Sequence, residues 1–123
     1  MNEKLAGYEI ITAILGKYFE KKNTKEIHLK NRVKLYETVH KLYQAHPEKV
    51  GVFYFRKRRG RYTSDDVDIV LRNLEDSEFL ECLNPELVVF RAKDAFYQYL
   101  PEINLKITKI GLETEINEAA NNL

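Results

Sequence analysis

The residues best equipped for chemistry in this chain crowd into one turn. Arg56, Lys57, Arg58, Arg59 and Arg61 place five cations in six residues around Gly60, and Tyr54, Phe55 and Tyr62 flank them. Guanidinium forks bind phosphate oxygens bidentately, and aromatic rings beside them could stack on bases. Lys30, Lys34 and Lys41 fall together on the polar side of the preceding helical stretch, so one continuous positive surface for a nucleic acid is the expectation. The simpler alternative is a solvated turn whose cations pair with acidic side chains of the same chain or of a partner.

Other reactive groups point to ordinary structural roles. Glu37-x-x-His40 supplies one half of a di-iron helix pair, but the sequence has no second half. His40 borders an apolar stripe and reads as a core-edge histidine. His46, before Pro47, suits the last carbonyls of a helix, while His28 suggests nothing specific. Asp65, Asp66 and Asp68 are explained by the favourable field at a helix start. Cys82 lies among apolar residues beside Glu81, a setting that does not favour a thiolate. The phosphate-cradling glycine loop, the Gly-x-Ser-x-Gly elbow and the His-Glu-x-x-His pair are all missing. The expectation is a non-enzymatic protein with no catalytic residues, no metal ligands and no cofactor.

Charge is distributed unevenly along the chain. The 123 residues carry a net charge of +1, yet residues 1–63 hold 15 basic and 6 acidic side chains, and residues 64–123 hold 5 basic and 13 acidic. Such asymmetry between halves is a hint of a polyanion or other charged partner. A composition of 44% hydrophobic and 32% charged residues is that of a folded domain, and this length suits one domain. The longest apolar runs, Val52–Phe55 and Leu87–Phe90, fall far short of the roughly 20 residues that cross a bilayer, so no membrane contact is expected. The first residues lead into an amphipathic stretch rather than an apolar signal core. One cysteine cannot form an intramolecular disulfide. Together these features set the expectation of a cytoplasmic protein.

The elements that must position the basic turn follow from periodicity. Leu5, Tyr8, Ile11, Ile14, Leu15, Tyr18 and Phe19 recur at helical spacing and predict a helix over 3–21. Leu29, Val33, Leu35, Tyr36, Val39, Leu42 and Tyr43 predict a second over 25–45, ended by His46-Pro47. Val50 to Arg56 reads as a strand leading into the basic turn. Ser64 or Thr63 caps a third helix over 64–76, with Val67, Val70, Leu71 and Leu74 inward. A hairpin is predicted over 79–91, turning at Asn84-Pro85-Glu86. Lys93 to Leu100 reads as a short helix or turn stopped by Pro101. The alternation of Ile103, Leu105 and Ile107 predicts a strand or an extended arm, and a C-terminal helix follows it. The fold class is α+β, mostly helical, within a single domain over 1–123.

Helix, basic turn, capped helix and hairpin in this order resemble a winged helix-turn-helix domain, with the hairpin as the wing. The stretch from Phe55 to Phe90, FRKRRGRYTSDDVDIVLRNLEDSEFLECLNPELVVF, resembles Panacea-type antitoxin domains and related winged-helix modules of prokaryotic defence systems. Gly60-Arg61-Tyr62-Thr63-Ser64 stands in for that family's Gly-Pro-Tyr-Ser-like turn, with Arg61 in place of the proline and one extra residue before Ser64. The resemblance implies a winged-helix-like centre and a regulatory or antitoxin-like binding role.

A conventional winged helix would put the 64–76 helix into a DNA major groove. Its outward residues Asp65, Asp68, Glu75 and Asp76 would then face phosphates spaced at roughly one charge per 1.7 Å, with only Arg72 to offset them. The basic turn is therefore the expected contact. A protein partner is the alternative. Phe96, Tyr97 and Tyr99 crowd one short segment and are candidates for a partner-binding patch. An exposed alternating edge over Ile103 to Ile110 would invite pairing with a second chain. A homodimer with the basic half of one subunit against the acidic half of the other would use both features.

Overall fold

The structure is a computed structural model that describes residues 4–29, 32–51, 53–86 and 88–123. In chain order it holds α1 (Gly7–Lys22), β1 (Glu26–His28), α2 (Val33–Ala45), β2 (Arg56–Arg58), β3 (Arg61–Thr63), α3 (Asp65–Asp76), β4 (Leu80–Cys82), β5 (Val89–Ala92), α4 (Asp94–Ile110) and α5 (Glu113–Asn121). The fold is α+β, with two small antiparallel sheets. Among the described residues no helix is long and apolar enough to cross a membrane.

Helix α1 is the central element. Ile10, Ile11, Ile14, Leu15 and Phe19 are buried in it, and α3, α4 and α5 pack around it. The backbone N–H of Ala6 donates to Glu9 Oε1 at 2.9 Å, satisfying a donor at the helix start, and Glu9 Oε2 accepts from Lys106 Nζ of α4 at 2.8 Å. Gly16 lets α4 come close: a Cβ there would lie 2.7 Å from Leu100 Cδ1.

The larger sheet has the order β1-β5-β4 and is antiparallel throughout. Its core-facing residues are opposed in register, Ile27 against Phe90 and Leu80 against Ala92. On the solvent face Arg91 stands opposite both Glu26 and Glu81, and its Nη2 lies 3.0 Å from Glu81 Oε2. Strand β1 corrects the expected helix over 25–45, which starts only at Val33. Glu26-Ile27-His28 alternates exposed, buried, exposed, and pairing with β5 outweighs helical continuity. The expected strand over Val50 to Arg56 is also displaced. Val50 makes only an isolated parallel bridge to Leu5, strand geometry begins at Arg56, and Val52 lies outside the described residues.

The C-terminal region departs further from expectation. Residues 94–110 form one helix that carries Pro101 inside it, and the predicted strand at Ile103 to Ile107 is absent. Phe96, Ile103 and Ile107 are buried with Leu100 packed beside them, a spacing of four, three and four, while Leu105 is 72% exposed. Burial of this helical stripe against α1 outweighs the donor that Pro101 lacks. No strand edge is therefore available at 103–110 for a second chain to extend.

Candidate nucleic-acid interface

The basic turn is itself a hairpin. Strands β2 and β3 pair in the register Arg56↔Thr63, Lys57↔Tyr62 and Arg58↔Arg61, closed by Arg59 (φ 51°) and Gly60 (φ 78°). Two consecutive positive φ angles give the tight turn whose twist suits a two-residue hairpin. Residues two apart share a face, so Lys57 and Tyr62 lie on one side, and Arg56, Arg58, Arg61 and Thr63 on the other.

The Lys57/Tyr62 face is docked. The Tyr62 ring stacks on His40 of α2, with centroids 3.7 Å apart and planes 21° from parallel. Phe55 meets both rings edge-on, at 4.8 Å from His40 and 6.4 Å from Tyr62. Lys57 Nζ sits 5.4 Å from the Tyr62 centroid. Burial, together with the neighbouring Lys57 charge, pushes the His40 imidazole below its ordinary value of 6.5. His40 thus holds a hairpin as an uncharged ring at neutral pH.

The opposite face is open. Arg58, Arg59 and Arg61 are exposed and make no ion pair among the described residues. Arg56 alone reaches an acid, with Nη2 3.6 Å from Asp65 Oδ2, and both side chains are largely exposed. Such a surface pair contributes little.

The acidic start of α3 is spent on the chain's own basic half. Ser64 Oγ accepts from the Val67 N–H at 3.2 Å as the helix cap and donates to the Tyr54 carbonyl at 2.9 Å. Asp66 Oδ2 accepts from the Tyr54 N–H at 2.7 Å. Asp68 Oδ1 accepts from Arg32 Nη1 at 2.9 Å and from the Tyr36 hydroxyl at 2.6 Å. Burial first, and then this bond to Asp68, push the Tyr36 phenol up to about 12. The exposed stripe of α3 comprises Asp65, Ile69, Arg72 and Asp76, which is not a cationic face.

The remaining candidates are scattered. Lys34 and Lys41 are exposed on the flank of α2 toward the C-terminus, where Lys41 lines a groove with His46, Glu115 and Asn122. Helical geometry turns that flank about 100° from His40, so these lysines do not join the hairpin face. Lys30 lies outside the described residues. Phe96 is wholly buried, edge-on to Phe19 at 5.5 Å, and so belongs to the core and not to a partner patch. Tyr97 and Tyr99 remain on the surface, Tyr99 stacked on Phe79 at 5.4 Å. Cys82 is half-buried, and its Sγ lies 3.3 Å from the Asn84 carbonyl. No group of three or more metal-ligating side chains occurs among the described residues.

The chain matches no protein-family model, no curated protein and no solved structure. The hairpin geometry therefore stands on its own. Sequence reasoning located its cations but took the stretch for a simple turn. The overlooked signal was Gly60 flanked by alternation of Phe53, Phe55 and Lys57 against Tyr54, Arg56 and Arg58; Arg59 at positive φ is not a residue that announces the turn.

Proposed function

We propose that this protein is a non-enzymatic regulatory or defence-associated binding module of winged-helix type, acting in the cytoplasm, that contacts nucleic acid through its basic hairpin. One observation carries the reading: a hairpin fixed by His40 on one face leaves Arg58, Arg59 and Arg61 unpaired among the described residues on the other. Arginines held in this way meet phosphate oxygens with little loss of side-chain freedom beyond their own. The connectivity supports the winged-helix part. Helix, strand, helix, helix, strand, strand with sheet order β1-β5-β4 follows the order of a winged-helix domain, and on this reading β2–β3 is an insertion between the two helices of the helix-turn-helix.

The test is fluorescence anisotropy of the full chain with labelled oligonucleotides at several salt concentrations. Replacing Arg58, Arg59 and Arg61 by alanine should weaken binding and lower the slope of log affinity against log salt by about two, since each phosphate contact contributes roughly 0.7–0.9. Equal slopes for the two proteins would reject the hairpin as the contact.

A second reading is a protein-interaction subunit, as a homodimer or bound to an antitoxin-like partner. It is favoured by α4, which exposes Tyr97, Tyr99 and Leu105, the last at 72%. Light scattering after size exclusion at low and high salt separates the self-association form of it, because a monomer in both conditions rejects a homodimer.

A further inference from the structure

Tyr54 is the most exposed large apolar side chain among the described residues, at 76%, yet its backbone is clamped on both sides. Its N–H donates to Asp66 Oδ2 at 2.7 Å, and its carbonyl accepts from Ser64 Oγ at 2.9 Å. The residue is thus anchored to the capped start of α3 while its ring makes no ring contact among the described residues. The other aromatics near the hairpin are committed: Phe53 is buried, and Phe55 and Tyr62 close around His40.

Alternation along the chain sets the direction of this ring. Phe53 is buried and Phe55 half-buried, with their rings 6.2 Å apart, and Lys57 follows on the Tyr62 side, which leaves exposed Tyr54 on the side of Arg56 and Arg58. A free aromatic face therefore begins a ledge that continues into unpaired arginines, the four-residue step from Tyr54 to Arg58 spanning roughly 13 Å of extended chain. Asp65 lies 3.6 Å from Arg56 between them and partly offsets its charge, whereas Arg58, Arg59 and Arg61 make no ion pair among the described residues.

We infer that this ledge takes a single-stranded nucleic acid, with a base stacked on Tyr54 and the neighbouring phosphates on the hairpin arginines. This rests on the nucleic-acid reading above and narrows it. In a duplex each base face is covered by the next base pair, and a ring standing on a hairpin has nothing to stack on. In a single strand every base offers a free face, and ring stacking beside a cationic track is how such strands are held without sequence preference. The exposed stripe of α3, with Asp65 and Asp76 at its ends, gives a duplex groove no competing cationic surface.

The experiment uses the full chain, a fluorescein-labelled 12-nucleotide oligothymidine, the matching oligouridine and a 12-base-pair duplex. At low salt the single strands should bind more tightly than the duplex. Tyr54→Ala should weaken single-strand binding roughly five- to a hundredfold, the range for losing one base stack, without changing the salt slope, whereas Tyr54→Phe should bind like the native chain. Circular dichroism should be unchanged in both variants because the ring is outside the core. Duplex bound as tightly as single strand, or Tyr54→Ala without effect, would overturn the stacking ledge while leaving the arginine contact standing. Loss of salt-dependent binding to all three probes would overturn the nucleic-acid reading itself. Preferential capture of a polyglutamate peptide over the oligonucleotides would overturn both in favour of an acidic protein partner.

Discussion

Truncating Tyr62 to alanine keeps every cation of the hairpin and removes what holds it against α2. The variant loses the stack on His40 at 3.7 Å, the edge contact with Phe55 at 6.4 Å and the ring beneath Lys57 at 5.4 Å. Aromatic pairs contribute about 0.5–1.5 kcal/mol each beyond their area, and an exposed cation over a ring about 0.5–1 kcal/mol, so about 2–3 kcal/mol of docking is removed. That lowers the ratio of docked to undocked hairpin by roughly 30- to 150-fold. An isolated two-stranded hairpin is marginal in water, so the undocked form should fray. For a native hairpin that favours the docked form by about 15-fold, the competent fraction falls to about one third to one tenth, an expected loss of apparent affinity of roughly three- to tenfold. Hydrogen exchange should show protection lost across residues 56–63 and retained in α1. Anisotropy with oligothymidine should show the weaker binding, and Tyr62→Phe should restore it. A Tyr62→Ala chain that binds as tightly as native, with the same salt slope, would refute the premise. It would mean that a solvated run of arginines suffices and that the docked geometry contributes nothing.

Asp68→Asn should bring the Tyr36 phenol down from about 12 toward its ordinary value without reaching it, because burial, the larger cause, remains; absorbance at alkaline pH reads this directly. His40 has a folded value below 6.5, so protonation favours the unfolded chain. Its stabilising contribution is present above pH 6.5 and is lost as pH falls through the folded value, and a native-minus-His40→Gln difference in Tm against pH should slope only in that window. Pro101→Ala should raise Tm, since proline is about 3 kcal/mol poorer than alanine inside a helix and only part of this is offset by the stiffer unfolded chain. No change, or a fall, would indicate that helix α4 depends on the ring's own packing.

Helices α1 and α3 could be read from residue spacing because each buries a stripe whose period is undisturbed. Ile11, Ile14 and Leu15 mark the first, and Val67, Leu71 and Leu74 behind the Ser64 cap mark the second. The errors fall where a local signal and a tertiary one disagree. Pro101 and the 103/105/107 alternation both argue locally for a break, but Phe96, Ile103 and Ile107 can all reach α1 only from one continuous helix. Strand β1 is three residues long, and only β5, more than sixty residues later, gives Glu26–His28 a reason to be extended. At the candidate site the residue types were visible but their grouping was not. Tyr54 and Tyr62 flank the same cationic run, and nothing in composition says that one is stacked inside and the other exposed. That distinction is made by His40, well before the run, and by side chains at the start of α3 just after it, whose bonds to the Tyr54 backbone no spacing rule shows.

The charge asymmetry of the chain resolves into two separate outcomes. Part of it is internal: Asp68 to Arg32, Asp65 to Arg56, and Asp66 on the Tyr54 backbone tie the acidic start of α3 to the basic half preceding it. These contacts set where the hairpin leaves the body of the domain, and they leave the start of α3 with no positive charge to offer a groove. Another part, Arg58, Arg59 and Arg61, is external and makes no ion pair with those acids at the tip. Asp65 therefore places a negative charge at the base of the hairpin, where it opposes the approach of a phosphate. On the proposed reading, a polyanion track starting at the arginine tip would pass this carboxylate to reach α3, with Tyr54 as a neutral surface on the way. On that reading, charge placement alone divides the labour: phosphates at the tip, an uncharged ring at the base, and a helix that positions the hairpin without itself touching the ligand.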